Sequence, residues 1–97
     1  MSAAHRLGDL CTGHGCWPPR PNAEASPDVF VNGIALHRQG DTWLPHTCPE
    51  IPETHASVLA AGSPTVFCNG KQAARIGDPV ACGSRTATGS ADVFIGP

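Results

Sequence analysis

A sixteen-residue block occurs twice in this 97-residue chain. Ser26 to Asp41 reads S-P-D-V-F-V-N-G-I-A-L-H-R-Q-G-D, and Ser63 to Asp78 reads S-P-T-V-F-C-N-G-K-Q-A-A-R-I-G-D. The offset is 37 throughout, with no gap, and nine of the sixteen positions are identical. A repeat in so short a chain decides its architecture before any single residue does. Two pieces of a third copy lie at the ends. G-S-A-D-V-F-I-G (Gly89 to Gly96) matches the head of the block, and A-A-H-R-L-G-D (Ala3 to Asp9) matches its tail. In a closed ring the two ends lie side by side and complete the third unit. The sequence therefore predicts one domain over residues 1–97 with pseudo-three-fold symmetry.

Each unit has a legible local structure. Residues 29–31 and 66–68 are short β-prone runs, followed at once by Asn32-Gly33 and Asn69-Gly70. Asn-Gly is the strongest two-residue hairpin signal, because both central positions of a type I′ turn need positive φ. With 11 glycines and 10 prolines, turns are dense and long helices are not expected. The fold class is all-β, built from short strands and β-hairpins. Arg-x-Gly-Asp closes each unit, at Arg6, Arg38 and Arg75. Its Asp is expected to bond loop backbone N–H groups, and its Arg to pair with an Asp of its own or a neighbouring unit. Three copies of such a pair point to scaffold rather than catalysis.

Charge and hydropathy exclude several functions. The net charge is −2 and no basic run exists, so nucleic-acid binding has no electrostatic footprint. No apolar run approaches the ~18 residues of a membrane span, and the N-terminus lacks a signal-peptide apolar region. The expectation is a protein made in the cytoplasm and not exported by the usual route.

The chemistry sits in the loops between units. These hold most of the five cysteines (Cys11, Cys16, Cys48, Cys68, Cys82) and five histidines (His5, His14, His37, His46, His55). The first loop contains W-P-P-R-P (Trp17 to Pro21), expected to be extended, and the second contains P-E-I-P-E (Pro49 to Glu53). An odd cysteine count without a signal peptide argues against a disulfide framework. Aligned from their downstream ends, the second loop reads H-A-S-V-L-A-A-G-S from His55 and the third C-G-S-R-T-A-T-G-S from Cys82. Cys82 thus takes the place of His55, and both are good zinc ligands. His14 and His46 each lie five residues after the repeated Asp. Loops converging on one axis offer His14, His46, His55 and Cys82. Three imidazoles and one thiolate make a closed tetrahedral set, which suits structural zinc; iron accepts the same ligands but is less favoured. Cys11, Cys16 and Cys48 are rival ligands. Cys68 reads as core, where its repeat mate is Val31, and His5 and His37, just before the repeated Arg, read as scaffold.

The pattern S-P-x-V-F-x-N-G-x-x-x-x-R-x-G-D, with His or Cys following, resembles the PAAR-repeat family. Its Pro-Ala-Ala-Arg motif is nearest at Gln72-Ala73-Ala74-Arg75, with Gln for Pro, and looser at Ser2 to Arg6 and Ile34 to Arg38. The resemblance covers almost the whole chain. It implies a small cone of short strands with a zinc ion near the apex, held here by His14, His46, His55 and Cys82. It also implies a partner: the blunt end of the trimeric β-helical spike of a type VI secretion system or contractile phage tail. The cone's base, where the Val-Phe hairpins gather, would dock there. The implied role is a non-enzymatic tip that sharpens the spike for membrane piercing and is carried out by the machine, with effector attachment as a further role. The alternative is a metal-dependent hydrolase using the same cluster with Glu50 or Glu53 as general base.

Overall fold

Both Asn-Gly steps fold as hairpin chemistry requires. Asn32 and Gly33 have φ of 56° and 75°, and Asn69 and Gly70 have 55° and 77°. Paired left-handed residues match the twist of the flanking strands. A computed structural model describes residues 2–48, 53–55 and 57–96, with the backbone alone for residues 46, 48 and 53–55. Its strands are β1 (Ser2–Ala3), β2 (Phe30–Val31), β3 (Ile34–Ala35), β4 (His46–Cys48), β5 (Glu53–His55), β6 (Phe67–Cys68), β7 (Lys71–Gln72) and β8 (Phe94–Ile95). No helix among the described residues is long and apolar enough to cross a membrane.

The antiparallel pairs β2–β3 and β6–β7 are the two intact hairpins. β1 pairs with β8 across almost the full chain, Ser2 opposite Ile95 and Ala3 opposite Phe94. The split third unit is therefore assembled from the two ends. Three backbone bonds close the ring at its centre. His5 N–H donates to Ala74 O (3.1 Å), Ala74 N–H to His37 O (3.0 Å), and His37 N–H to His5 O (3.1 Å). Each donor occupies the same repeat position, so these bonds form a cycle about one axis.

The repeat also dictates the packing. Val31, Cys68 and Ile95 are equivalent, as are Leu36, Ala73 and Ala4, and these six buried residues form the first core. Alternation along each two-residue strand sends Phe30, Phe67 and Phe94 outward while the next residue turns inward. A second core of Cys11, Trp43, Leu59, Ala74 and Val80 is built largely from the connecting loops, with Cys82 packed against it. Loops that contribute a core are part of the scaffold.

The Arg-x-Gly-Asp turns are local clamps, each closed within its own unit. Arg6, Arg38 and Arg75 donate backbone N–H and Nε to Oδ2 of Asp9, Asp41 and Asp78. Each Asp N–H returns a bond to the Arg carbonyl. The Gly between them carries φ of 84°, 85° and 92°, a left-handed conformation that favours glycine.

Within the second loop β4 and β5 pair antiparallel, with His46 opposite His55 and Cys48 opposite Glu53. Their three-residue strands lack the alternation that announces a hairpin. One expectation needs correction: the argument against disulfides fails at one site, since Cys16 is disulfide-bonded. An odd total rules out complete pairing, not a single bridge. Cys11, Cys68 and Cys82 are free thiols.

Candidate functional site

The three hairpins form a ring. The turn of one unit bonds the start of another. Ser26 Oγ donates to Asn69 Oδ1 (2.6 Å), and Ser90 Oγ donates to Asn32 Oδ1 (2.6 Å). In the third position Ser63 Oγ donates to the backbone oxygen of Gly96 (2.9 Å), because Gly96 stands where the other units have Asn. Guanidinium groups reinforce each junction: Arg38 Nη1 reaches Asn69 Oδ1, Arg6 Nη1 reaches Asn32 Oδ1, and Arg75 Nη1 reaches Gly96 O. Asn69 and Ser26 donate to the Asp28 carboxylate and hold it below the usual carboxylate range. Asn32 and Ser90 do the same for Asp92. The hairpins are thus cross-linked to one another, which fixes their relative positions.

That rigid ring displays three large apolar side chains. Phe30, Phe67 and Phe94 are 58%, 59% and 53% exposed. As equivalents in a three-fold ring they sit at the same level around the axis, flanked by exposed Val29 and Val66. Single exposed apolar residues are ordinary, but a symmetric set of aromatics marks an interaction surface.

The candidate metal ligands lie on the connecting loops. His14 stacks on Trp17, with ring centroids 5.0 Å apart, and the two residues form an isolated antiparallel bridge. The turn after Cys82 comes beside His14: a Cβ built on Gly83 would lie 3.9 Å from His14 Cγ. His46 and His55 are direct cross-strand partners. The four ligands named from sequence thus fall into two adjacent pairs, His14 beside the Cys82–Gly83 turn and His46 opposite His55. The side chains of His46 and His55 lie outside the described residues, as does Glu50 entirely and the side chain of Glu53. Among the described residues no group of three or more His, Cys, Asp or Glu is arranged to hold a metal. Of the rival ligands, Cys16 has no free thiol in this disulfide state. Cys11 is buried, its sulfur accepting the Arg20 N–H at 3.4 Å.

Sequence reasoning missed the group at the centre. His5, His37 and Trp43 form a triangle of rings with centroids 5.3–5.4 Å apart. Both imidazoles are fully buried. Burial pushes His37 down to about 4 and lowers His5 as well. The available signal was positional: a His immediately before the repeated Arg faces the axis, as Ala74 does in the second copy.

Residues 12–88 match the family model described as PAAR motif. The matched span leaves out both pieces of the split third unit, Ala3 to Asp9 and Gly89 to Gly96. The chain is also 39% identical over 74 residues to the NAD(P)(+) glycohydrolase toxin Tse6 of Pseudomonas aeruginosa strain PAO1 and to the (p)ppApp synthetase toxin Tas1 of Pseudomonas aeruginosa strain UCBPP-PA14. Each alignment takes in 71% of this chain but only 17% of the relative. The shared part is thus a small portion of two much longer toxins with different activities. The family match, covering most of the chain, and the repeat geometry agree: the chain belongs to the PAAR motif family.

Proposed function

We propose that this chain is the non-enzymatic tip of a contractile injection machine, of the type VI secretion or contractile phage-tail kind. It caps a trimeric β-helical spike and sharpens it for piercing a target membrane. The observation that carries the reading is the three-fold set of exposed Phe30, Phe67 and Phe94 on a ring of cross-linked hairpins. A single chain with three equivalent hairpins can offer the same contact to each chain of a true trimer, and short exposed strands can extend a partner's sheet edges.

In this reading His14, His46, His55 and Cys82 hold a structural zinc ion. The donor set is chemically suited to it, and its members come from the loops that connect the repeated units. Structural zinc contributes apparent folding free energy of about 10–16 kcal/mol in zinc-finger peptides, and zinc bound here would stabilise the loops in the same way. That matters for a tip that carries mechanical load with little apolar interior.

Effector carriage is part of the proposal. Two toxins of different activity share this domain as a small fraction of their length, which suits a delivery module rather than a catalytic one. The protein would be delivered out of the cell at the tip of the spike by the machine itself. The test is mass measurement of a complex with a purified trimeric β-helical spike fragment. One chain per trimer is the expected result. Absence of a complex at micromolar concentration would overturn the proposal.

A further inference from the structure

The buried histidines at the ring's centre do more than fill space. His5 Nδ1 lies 2.7 Å from the carbonyl oxygen of Thr88, and His37 Nδ1 lies 2.7 Å from that of Glu24. A carbonyl only accepts, so each ring carries its proton on Nδ1 and a lone pair on Nε2. Thr88 and Glu24 each stand two residues before the Ser that opens a unit, Ser90 and Ser26. Each imidazole therefore ties the end of a connecting loop to the central backbone cycle. The second unit has Ala74 at this position and no such tie.

Neither Nε2 can accept a proton without losing something. At His5 it takes a bond from Asn22 Nδ2 at 3.0 Å. Asn22 cannot turn its oxygen round, because Nδ2 also donates to Arg6 O (2.8 Å) and Oδ1 accepts from Gly8 N–H (3.1 Å). A second proton would set two donors face to face. At His37, Nε2 is buried with no hydrogen-bond partner among the described residues, so a new N–H⁺ would find no acceptor among them. The two rings are 5.4 Å apart, so two charges would also repel. The charged groups facing the pair are Arg6 and Arg38, which oppose protonation, and Asp9, Asp41 and Asp78, which favour it. All three carboxylates are already engaged by Arg6, Arg38 and Arg75. Asp41 Oδ2 lies 3.9 Å from His37 Nδ1, and Lys71 Nζ lies 3.8 Å from Asp41 Oδ1.

We propose that His5 and His37 form an acid-sensitive latch on the pseudo-three-fold axis. It is closed while both imidazoles are neutral and opens when either takes a second proton at Nε2. Opening releases the Glu24 and Thr88 loop ends from the ring and loosens the tip from within. Stability is complete above the unfolded-state value of 6.5 and is lost as pH falls from there to about 4, the folded-state value of His37. His37 alone lowers the folding equilibrium constant by about 100-fold between pH 6.5 and 4, approaching about 300-fold, the 2.5-unit difference written as a ratio, only at lower pH.

The test uses the full chain and His37→Ala, the residue its repeat mate already has. Denaturant unfolding is measured from pH 7.5 to 4, with the same metal content in both proteins. The wild-type chain should lose at least tenfold more in its folding constant than the variant, in which only the other histidines remain to titrate. Equal losses overturn the latch. Should the variant fail to fold, imidazole NMR on the wild-type chain decides. His37 neutral down to pH 5 supports the latch, and titration near 6.5 refutes it.

Discussion

Replacing Asp41 by Ala should cost about 3–5 kcal/mol of folding stability, the range for removing one partner of a buried ion pair. The carboxylate is fully buried and Arg38 is 8% exposed. It accepts from Arg38 N–H at 2.9 Å, Nε at 2.9 Å and Nη2 at 2.9 Å. Without it a guanidinium is left largely shielded from water beside the neutral His37 ring. The same motif occurs at Asp9, where the two side chains are 16% and 13% exposed, and water can rehydrate the freed Arg6. There the loss should be about 1–2 kcal/mol, nearer the value of a charge-assisted hydrogen bond. Asp78, 5% exposed beside an Arg75 that is 20% exposed, should fall between. The three substitutions remove the same side chain from the same local turn, so the ranking follows burial together with the second Arg bond, from Nη2, that Asp41 and Asp78 accept. Denaturant unfolding followed by fluorescence reads it, since Trp43 is buried against His5 and His37. In a domain of this size 3 kcal/mol corresponds to a fall in Tm of about 12–24 °C. Equal losses at the three sites, or the largest at Asp9, would refute the reasoning.

Other consequences can be checked in the same way. Gly62→Ala should cost about 1–3 kcal/mol by overpacking. A Cβ there meets the Ala73 backbone oxygen, which cannot retreat because it accepts the Ser63 N–H at 2.8 Å; unchanged unfolding would contradict this. Cys82→Ala and His14→Ala should each lower zinc content and Tm together, read by elemental analysis and calorimetry. Full metal content in both variants would remove these residues from the ligand set.

How much of this was legible in the sequence follows from the range of the interactions. The hairpins were readable because Asn-Gly acts locally and the repeat states it twice. Ring closure was readable because the missing halves of one unit lie at opposite ends, and β1–β8 pairing bears that out. The Arg–Asp clamps, each closed within four residues, were likewise within reach. The β4–β5 pair was not: three-residue strands give no period. Nor was the disulfide at Cys16, since pairing depends on which loops meet. The central triangle joins His5, His37 and Trp43 from three parts of the chain, and only the closed ring brings them together. The loop cysteines and histidines were found by aligning repeats, which locates a ligand's loop but not the direction of its side chain.

The most direct measurement is the affinity of the chain for a trimeric β-helical spike fragment before and after changing Phe30, Phe67 and Phe94 to Ser. These side chains keep over half their surface exposed, so covering each contributes about 1 kcal/mol. Together they amount to about a 100-fold change in Kd. The account predicts a weakening of that size with the fold and stability unchanged. Undiminished binding by the triple variant would contradict the claim that the hairpin ring is the docking base.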